Sequence, residues 1–202
     1  MRFTALWLAA LCILVFILQQ VFTTEPFLLI KDLTWSEPWR ILTSIFAHSN
    51  LAHLLSNLFA LVLFGLILEG RIGAKRVLWL FLISGILINM FPFYERSLGA
   101  SGAIYGLIGA LILLRPGMVI WVNWMPMPMF VAGIIWLIQD AIGVFIPDGV
   151  GNLAHIGGLG IGIIAGIYWR KKGYGDRIRR QKRKRDPELE KQLDEWEEKY
   201  MR

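Results

Sequence analysis

Residues 51–70 read LAHLLSNLFALVLFGLILEG, a nearly continuous apolar run whose few polar groups sit at its start. Crossing about 30 Å of hydrocarbon takes roughly 20 apolar residues, so this run is long enough to span a membrane. His53, Ser56 and Asn57 fall in its first two turns, and Glu69 closes it. Two later runs share the pattern: LGASGAIYGLIGALILL at 98–114 and NLAHIGGLGIGIIAGIYW at 152–169. Both carry polar groups near the start and apolar residues after.

Working outward, three more runs complete a set of six: Phe3–Phe22, Val77–Tyr94 and Met127–Ile146. The first has no small-residue cleavage site after it, so it reads as a retained helix rather than a signal peptide. The expected fold class is therefore all-α, a polytopic membrane protein built as a six-transmembrane-helix bundle. Composition agrees. The 202 residues are 56% hydrophobic and 18% charged, more apolar and less charged than a soluble domain. The single cysteine, Cys12, excludes a disulfide within the chain and reads as packing. No Cys/His cluster suits a metal.

Charge divides the chain. Residues 170–202 hold 13 Lys/Arg and 8 Asp/Glu, against 8 and 7 in residues 1–169. The body has no basic face, which argues against nucleic acid. Arg2, Arg71, Lys75, Arg76, Arg115 and the basic tail outweigh Lys31, Arg40 and Arg96 on the alternate connections. Positive charge favours the cytoplasmic side, so both termini are expected inside a plasma-membrane protein. The outer connections are then 23–50, 95–97 and 147–151. Pro116–Pro126 reads as an interfacial connection, with Pro126 and Pro128 marking the start of the fifth helix. Residues 1–170 form the expected membrane domain and 171–202 a charged cytoplasmic tail. The tail's basic part, 170–185, suits an anionic inner leaflet. Asp186 reads as an N-cap before Pro187, and Leu189, Leu193, Trp196 and Tyr200 repeat at helical spacing, which predicts a short amphipathic helix.

Polar and ionisable groups at membrane depth are costly and mark functional sites. With the stated orientation, His53, Asn57, Ser101 and His155 all lie within roughly 10 Å of the outer helix ends. Ser101 sits in Gly99-Ala100-Ser101-Gly102, whose small residues leave the hydroxyl open. That pattern alone also suits helix packing. A histidine at the same depth changes its meaning, because imidazole can activate a serine near neutral pH. Gly158, Gly162 and Gly166 form a small-residue stripe; if it faces the fourth segment it draws His155 toward Ser101. Tyr105, four residues after Ser101, can orient the imidazole. Neither Asp140 nor Asp148 is forced toward His155, so the expectation is a Ser–His dyad. His53, Asn57 and the Ser101 amide are the available oxyanion donors. An interhelical hydrogen bond is the plainer role for Asn57.

These residues together resemble the rhomboid intramembrane serine proteases. His48, His53 and Asn57 look like the family's His-x4-His-x3-Asn pattern. Gly99-Ala100-Ser101-Gly102 looks like its Gly-x-Ser-Gly, and Ala154-His155-Ile156-Gly157-Gly158 like its catalytic-histidine segment. Trp39-Arg40 resembles the pair in its large first loop, and Glu69 with Arg71 the charges closing its second helix. The similarity covers about residues 1–170. It implies Ser101 as nucleophile, His155 as general base, and His53, Asn57 and the Ser101 amide as oxyanion hole. It implies that Tyr105 packs on His155, and that Trp39, Arg40 and Glu69 support the first loop. No cofactor is implied. The implied substrates are single-span membrane proteins, with the fifth helix and loop 147–151 gating access. Rival readings are a non-catalytic client-binding relative, a small transporter, and a membrane anchor working through its tail.

Overall fold

The computed structural model describes residues 3–146, 149–175 and 187–200. Its helices are α1 (Thr4–Phe22), a short α2 (Trp39–Thr43), α3 (Leu51–Ile72), α4 (Ala74–Asn89), α5 (Ser101–Leu114), α6 (Met129–Phe145), α7 (Asn152–Lys171) and α8 (Pro187–Tyr200). Six of them, α1 and α3–α7, make the bundle. Helices α1, α3 and α7 are long and apolar enough to cross a membrane. Large apolar side chains cover the outside: Trp7 and Ile17 on α1, Phe59 on α3, Trp79 on α4, Ile134 and Phe145 on α6. A soluble monomer rarely exposes such a surface, and lipid tails suit it.

Helix α5 is the axis of the bundle. Ten of its 14 residues are buried. At 1.5 Å per residue it is about 21 Å long, shorter than the hydrocarbon layer. The chain reaches it through a non-helical segment. The expected start at Leu98 is corrected to Ser101, which is the first helical residue rather than one turn in. The reason is Gly99, whose φ of +125° is incompatible with a helix.

The small-residue stripe of α7 faces α5. A Cβ at Gly158 would overlap the carbonyl oxygen of Gly102, and one at Gly162 that of Gly106. Across Gly109, the carbonyl of Leu159 fills the space a side chain would need. These contacts let the two backbones touch, as small residues do in membrane interfaces.

The first loop is a folded structure. Strand β1 (Leu29–Ile30) pairs antiparallel with β2 (Arg96–Ser97), joining this loop to the segment that leads into α5. The Arg40 guanidinium is buried. Its Nη1 donates to the carbonyls of Glu25 and Leu28, at 2.6 and 2.9 Å, and its Nε to Glu37. Gly99 N–H then donates to Ser44 O at 2.8 Å, fixing the last turn before Ser101.

Two further expectations need correction. Pro116–Pro126 is not a plain connection: β3 (Val119–Val122) and β4 (Met125–Pro128) form a hairpin around Asn123 and Trp124, both with positive φ. Such a pair closes a two-residue hairpin turn. Pro126 lies within β4, where a two-stranded ribbon tolerates a missing donor, and α6 starts after Pro128. Glu69 does not support the first loop. It lies near the C-terminal end of α3 and accepts from the backbone N–H groups of Phe3 and Ala5, at 2.6 and 3.4 Å, anchoring α1. Eighteen residues of helix separate it from the loop side, about 27 Å. Helix α8 spans Pro187–Tyr200, as the tail spacing predicts; Asp186 and most of the basic stretch 170–185 lie outside the described residues.

Candidate active site

Helices α3, α5 and α7 run in the same direction, so their N-terminal ends share one side of the bundle. Between them lies a cavity of about 1070 Å³. His53, Asn57, Gly99, Ser101, Gly102 and His155 all line it.

On α3, Asn50 caps the helix by accepting from His53 N–H at 2.8 Å. Ser49 Oγ lies 3.1 Å from His53 Nδ1, which holds the ring from one side. The other side faces Gly99: a Cβ there would lie 2.9 Å from His53 Cε1 and 3.0 Å from Nε2. Glycine is required at 99 both for its φ and for this approach. Asn57 Nδ2 donates to His53 O at 2.8 Å. An amide has two N–H bonds, so one remains for the cavity. Its Oδ1 is buried with no hydrogen-bond partner among the described residues.

On α5, Ala100 provides no side-chain cap. The first N–H groups of a helix have no partner within it, so the Ser101 amide is a donor at the cavity edge. Three helix N-termini also bring their positive dipole ends to this space, which favours negative charge there.

On α7, His155 is buried, one turn from Gly151, which accepts its N–H at 3.0 Å. The Tyr105 ring stacks on it at 4.2 Å between centroids and 7° between planes. Ser101 and His155 sit on helices in backbone contact: Gly102 and Ala154, their chain neighbours, pack together. Among the described residues no hydrogen bond joins Ser101 Oγ to the imidazole. Hydrogen bonds between a nucleophile and its base are often long until substrate binds.

The sequence reading left His155 without an acidic neighbour, and the structure supplies one. Asp140 Oδ1 on α6 lies 2.9 Å from His155 Nδ1, with both side chains buried. Asp148 lies outside the described residues. A second, smaller cavity of about 510 Å³ lies on that side, lined by Tyr105, Gln139, Asp140 and His155 among others. Of the remaining residues singled out, Arg40 stitches the first loop together. Trp39 starts α2 with its surface more than half exposed, and Glu69 lies at the far end of α3. Among the described residues no group of three or more His, Cys, Asp or Glu is placed to hold a metal.

Comparison with known proteins adds the family. A family model described as Rhomboid domain matches residues 36–172. RHOMBOID-like protein 4 of Arabidopsis thaliana is 35% identical over 144 residues, covering 68% of this chain and 35% of that protein. RHOMBOID-like protein 1 of the same plant is 34% identical over 147 residues, covering 69% and 36%. A third Arabidopsis thaliana relative, named Inactive RHOMBOID-like protein 8, is 39% identical over 80 residues, covering 38% and 23%. The chain thus spans about a third of the length of the first two.

Proposed function

The chain belongs to the rhomboid family, and from that membership we propose that it is an intramembrane serine endopeptidase using Ser101 and His155. The observation that carries the proposal is the shared cavity: a serine at a helix start, a buried imidazole on the adjoining helix, and N–H donors beside them.

In this reading His155 Nε2 takes the Ser101 Oγ proton as the oxygen attacks the scissile carbonyl. The developing oxyanion accepts hydrogen bonds from the Ser101 amide, His53 and Asn57. The C–N bond then breaks, and the imidazolium gives its proton to the leaving amine. Water, activated by the same imidazole, attacks the acyl-enzyme ester and releases the second product and free Ser101. The proposed substrates are single-span membrane proteins. A hydrogen-bonded helix shields its peptide bonds, so cleavage requires local unwinding, and Gly or Pro in the substrate helix promotes it. Helix α6 and residues 147–151 are the proposed gate. The proposed setting is a plasma membrane with both termini cytoplasmic, residues 1–170 as the catalytic domain, and the basic part of 171–202 resting on the anionic inner leaflet.

The test is incubation of the purified protein with a model single-span substrate, beside Ser101→Ala and His155→Ala. Both variants are expected to lose cleavage, and a fluorophosphonate is expected to label Ser101 only when His155 is present. Cleavage by Ser101→Ala at the wild-type rate would sink the proposal. A second reading, client binding without catalysis, is favoured by the relative named as inactive. It requires Ser101→Ala to keep full biological activity.

A further inference from the structure

We propose that Asp140 is a third member of the site, a positioning residue that fixes the tautomer and rotation of His155. This rests on the reading of Ser101 and His155 as nucleophile and base. Three observations support it.

The first is placement. Asp140 is the one charged residue of α6, a helix whose outer face carries Ile134, Ile138, Ile142 and Phe145. Burying a carboxylate at membrane depth is costly unless a partner meets it. The partner is the imidazole: Oδ1 to Nδ1 is 2.9 Å, with side-chain exposures of 7% and 9%. Oδ2 has no geometric hydrogen-bond partner among the described residues; the Tyr105 hydroxyl also lies beside this carboxylate, and His155 is the partner it bonds at short range.

The second is which nitrogen is engaged. His155 lines both cavities, with Asp140 lining only the smaller and Ser101 only the larger. Nδ1 faces Asp140, so Nε2 is the nitrogen left for the Ser101 side. A carboxylate only accepts; therefore Nδ1 carries the proton and Nε2 keeps its lone pair. That is the tautomer a general base needs. An imidazole bonded instead to a donor at Nδ1 would present N–H toward the serine.

The third is completeness. Stacking on Tyr105 fixes the plane of the ring but not its rotation within that plane. The in-plane bond to Asp140 supplies the missing restraint. When Nε2 takes the serine proton, the ring becomes a cation beside a buried carboxylate, and the low dielectric strengthens that pairing. No proton need pass to Asp140.

A plain structural bond between α6 and α7 is the competing account, and it predicts different data. The experiment compares wild type, Ser101→Ala, Asp140→Asn and Asp140→Glu in detergent with a model substrate. It also records ¹⁵N spectra of histidine-labelled protein. The chain has three histidines, so His155→Asn assigns the relevant signal by its loss. The expected wild-type tautomer is Nδ1–H. Asp140→Asn is expected to lower kcat about 100-fold or more with KM within about threefold, because its amide N–H can pair with Nδ1 and move the ring proton to Nε2. Asp140→Glu is expected to recover part of the rate. Wild-type protein with His155 protonated at Nε2 overturns the proposal without any Asp140 variant having to fold. So does Asp140→Asn with unchanged kcat while Ser101→Ala is inactive. Cleavage by Ser101→Ala would instead overturn the underlying reading.

Discussion

Tyr105 lies flat on His155, their ring centroids 4.2 Å apart and their planes 7° from parallel. The two residues belong to α5 and α7, whose glycine-lined faces bring the backbones into contact just below the rings. The stack depends on the ring face, while the Tyr105 hydroxyl lies beside Asp140 and contributes separately. Aromatic pairs are worth about 0.5–1.5 kcal/mol beyond their area, which as lost orientation is about 2- to 12-fold in rate. Tyr105→Phe is expected to stay within about threefold of wild type in kcat, and Tyr105→Ala to fall about tenfold. Steady-state cleavage of a model substrate measures both. Equal losses in the two variants would assign the role to the hydroxyl instead.

The oxyanion assignment makes a separable prediction. Asn57→Ala and His53→Ala each remove a donor that the ground-state substrate scarcely uses. A loss of about 10²–10³ in kcat is expected for a true oxyanion donor, with little change in KM. Asn57 also donates to His53 O within its own helix. If that bond is its whole role, the variant will lose stability and keep kcat.

Gly158 and Gly160 form a controlled pair on one helix. A Cβ at Gly158 would overlap Gly102 O, the residue after Ser101, while at Gly160 nothing lies within 4 Å. Gly158→Ala is expected to destabilise by about 1–3 kcal/mol through forced backbone separation. Gly160→Ala is expected to be neutral or stabilising by up to about 1 kcal/mol, since alanine favours helix. Thermal unfolding in detergent reads both, and cleavage should follow the first.

Much of this arrangement was legible as hydropathy and depth. The apolar runs give the spans, and His53, Asn57, Ser101 and His155 align once orientation is set. The start of α5 was hidden because Leu98-Gly99-Ala100 is as apolar as a helix, and the φ of Gly99 is a property of the folded loop. The β3–β4 hairpin was hidden because Met-Pro alternation also looks like a helix start. Asp140 had a usable signal: it lies five residues before the end of α6, and His155 three after the start of α7, so their depths match. What the sequence lacks is the azimuth of α6, which depends on how α6 packs against α7. Glu69 was misplaced because a charge at a helix end looks the same whichever element it binds.

That last point gives a prediction about stability rather than chemistry. The Glu69 carboxylate accepts from the Phe3 and Ala5 N–H groups at the start of α1, as a capping side chain does. Losing such a cap costs about 1 kcal/mol, within a range of about 0.5–2. Glu69→Ala should lower the unfolding temperature and release the N-terminus to amide exchange. The kcat of the folded fraction should be unchanged. A selective loss of kcat would place Glu69 in communication with the cavity.

His48 supplies the pH dependence. It lies in the loop before α3, buried, with its Nδ1 3.1 Å from Phe46 O and its Nε2 without a partner among the described residues. Burial first, then the nearby His53, push its pKa from 6.5 down to about 4. The fold therefore holds the neutral ring, and protons bind more tightly to the unfolded chain. Stability from this group is complete above pH 6.5 and is lost progressively as pH falls toward 4. At 1.36 kcal/mol per unit the whole effect is about 3 kcal/mol. Unfolding in detergent should show it as a falling midpoint between pH 6.5 and 4. Other groups titrate there too, so the informative quantity is the difference from His48→Gln. That variant keeps the backbone N–H and carbonyl that Gln19 holds, at 3.0 and 3.2 Å, and removes only the titrating ring. Its profile should be flatter by that amount. Parallel profiles would mean that the imidazole reaches water in the folded protein and that its burial is not maintained in solution.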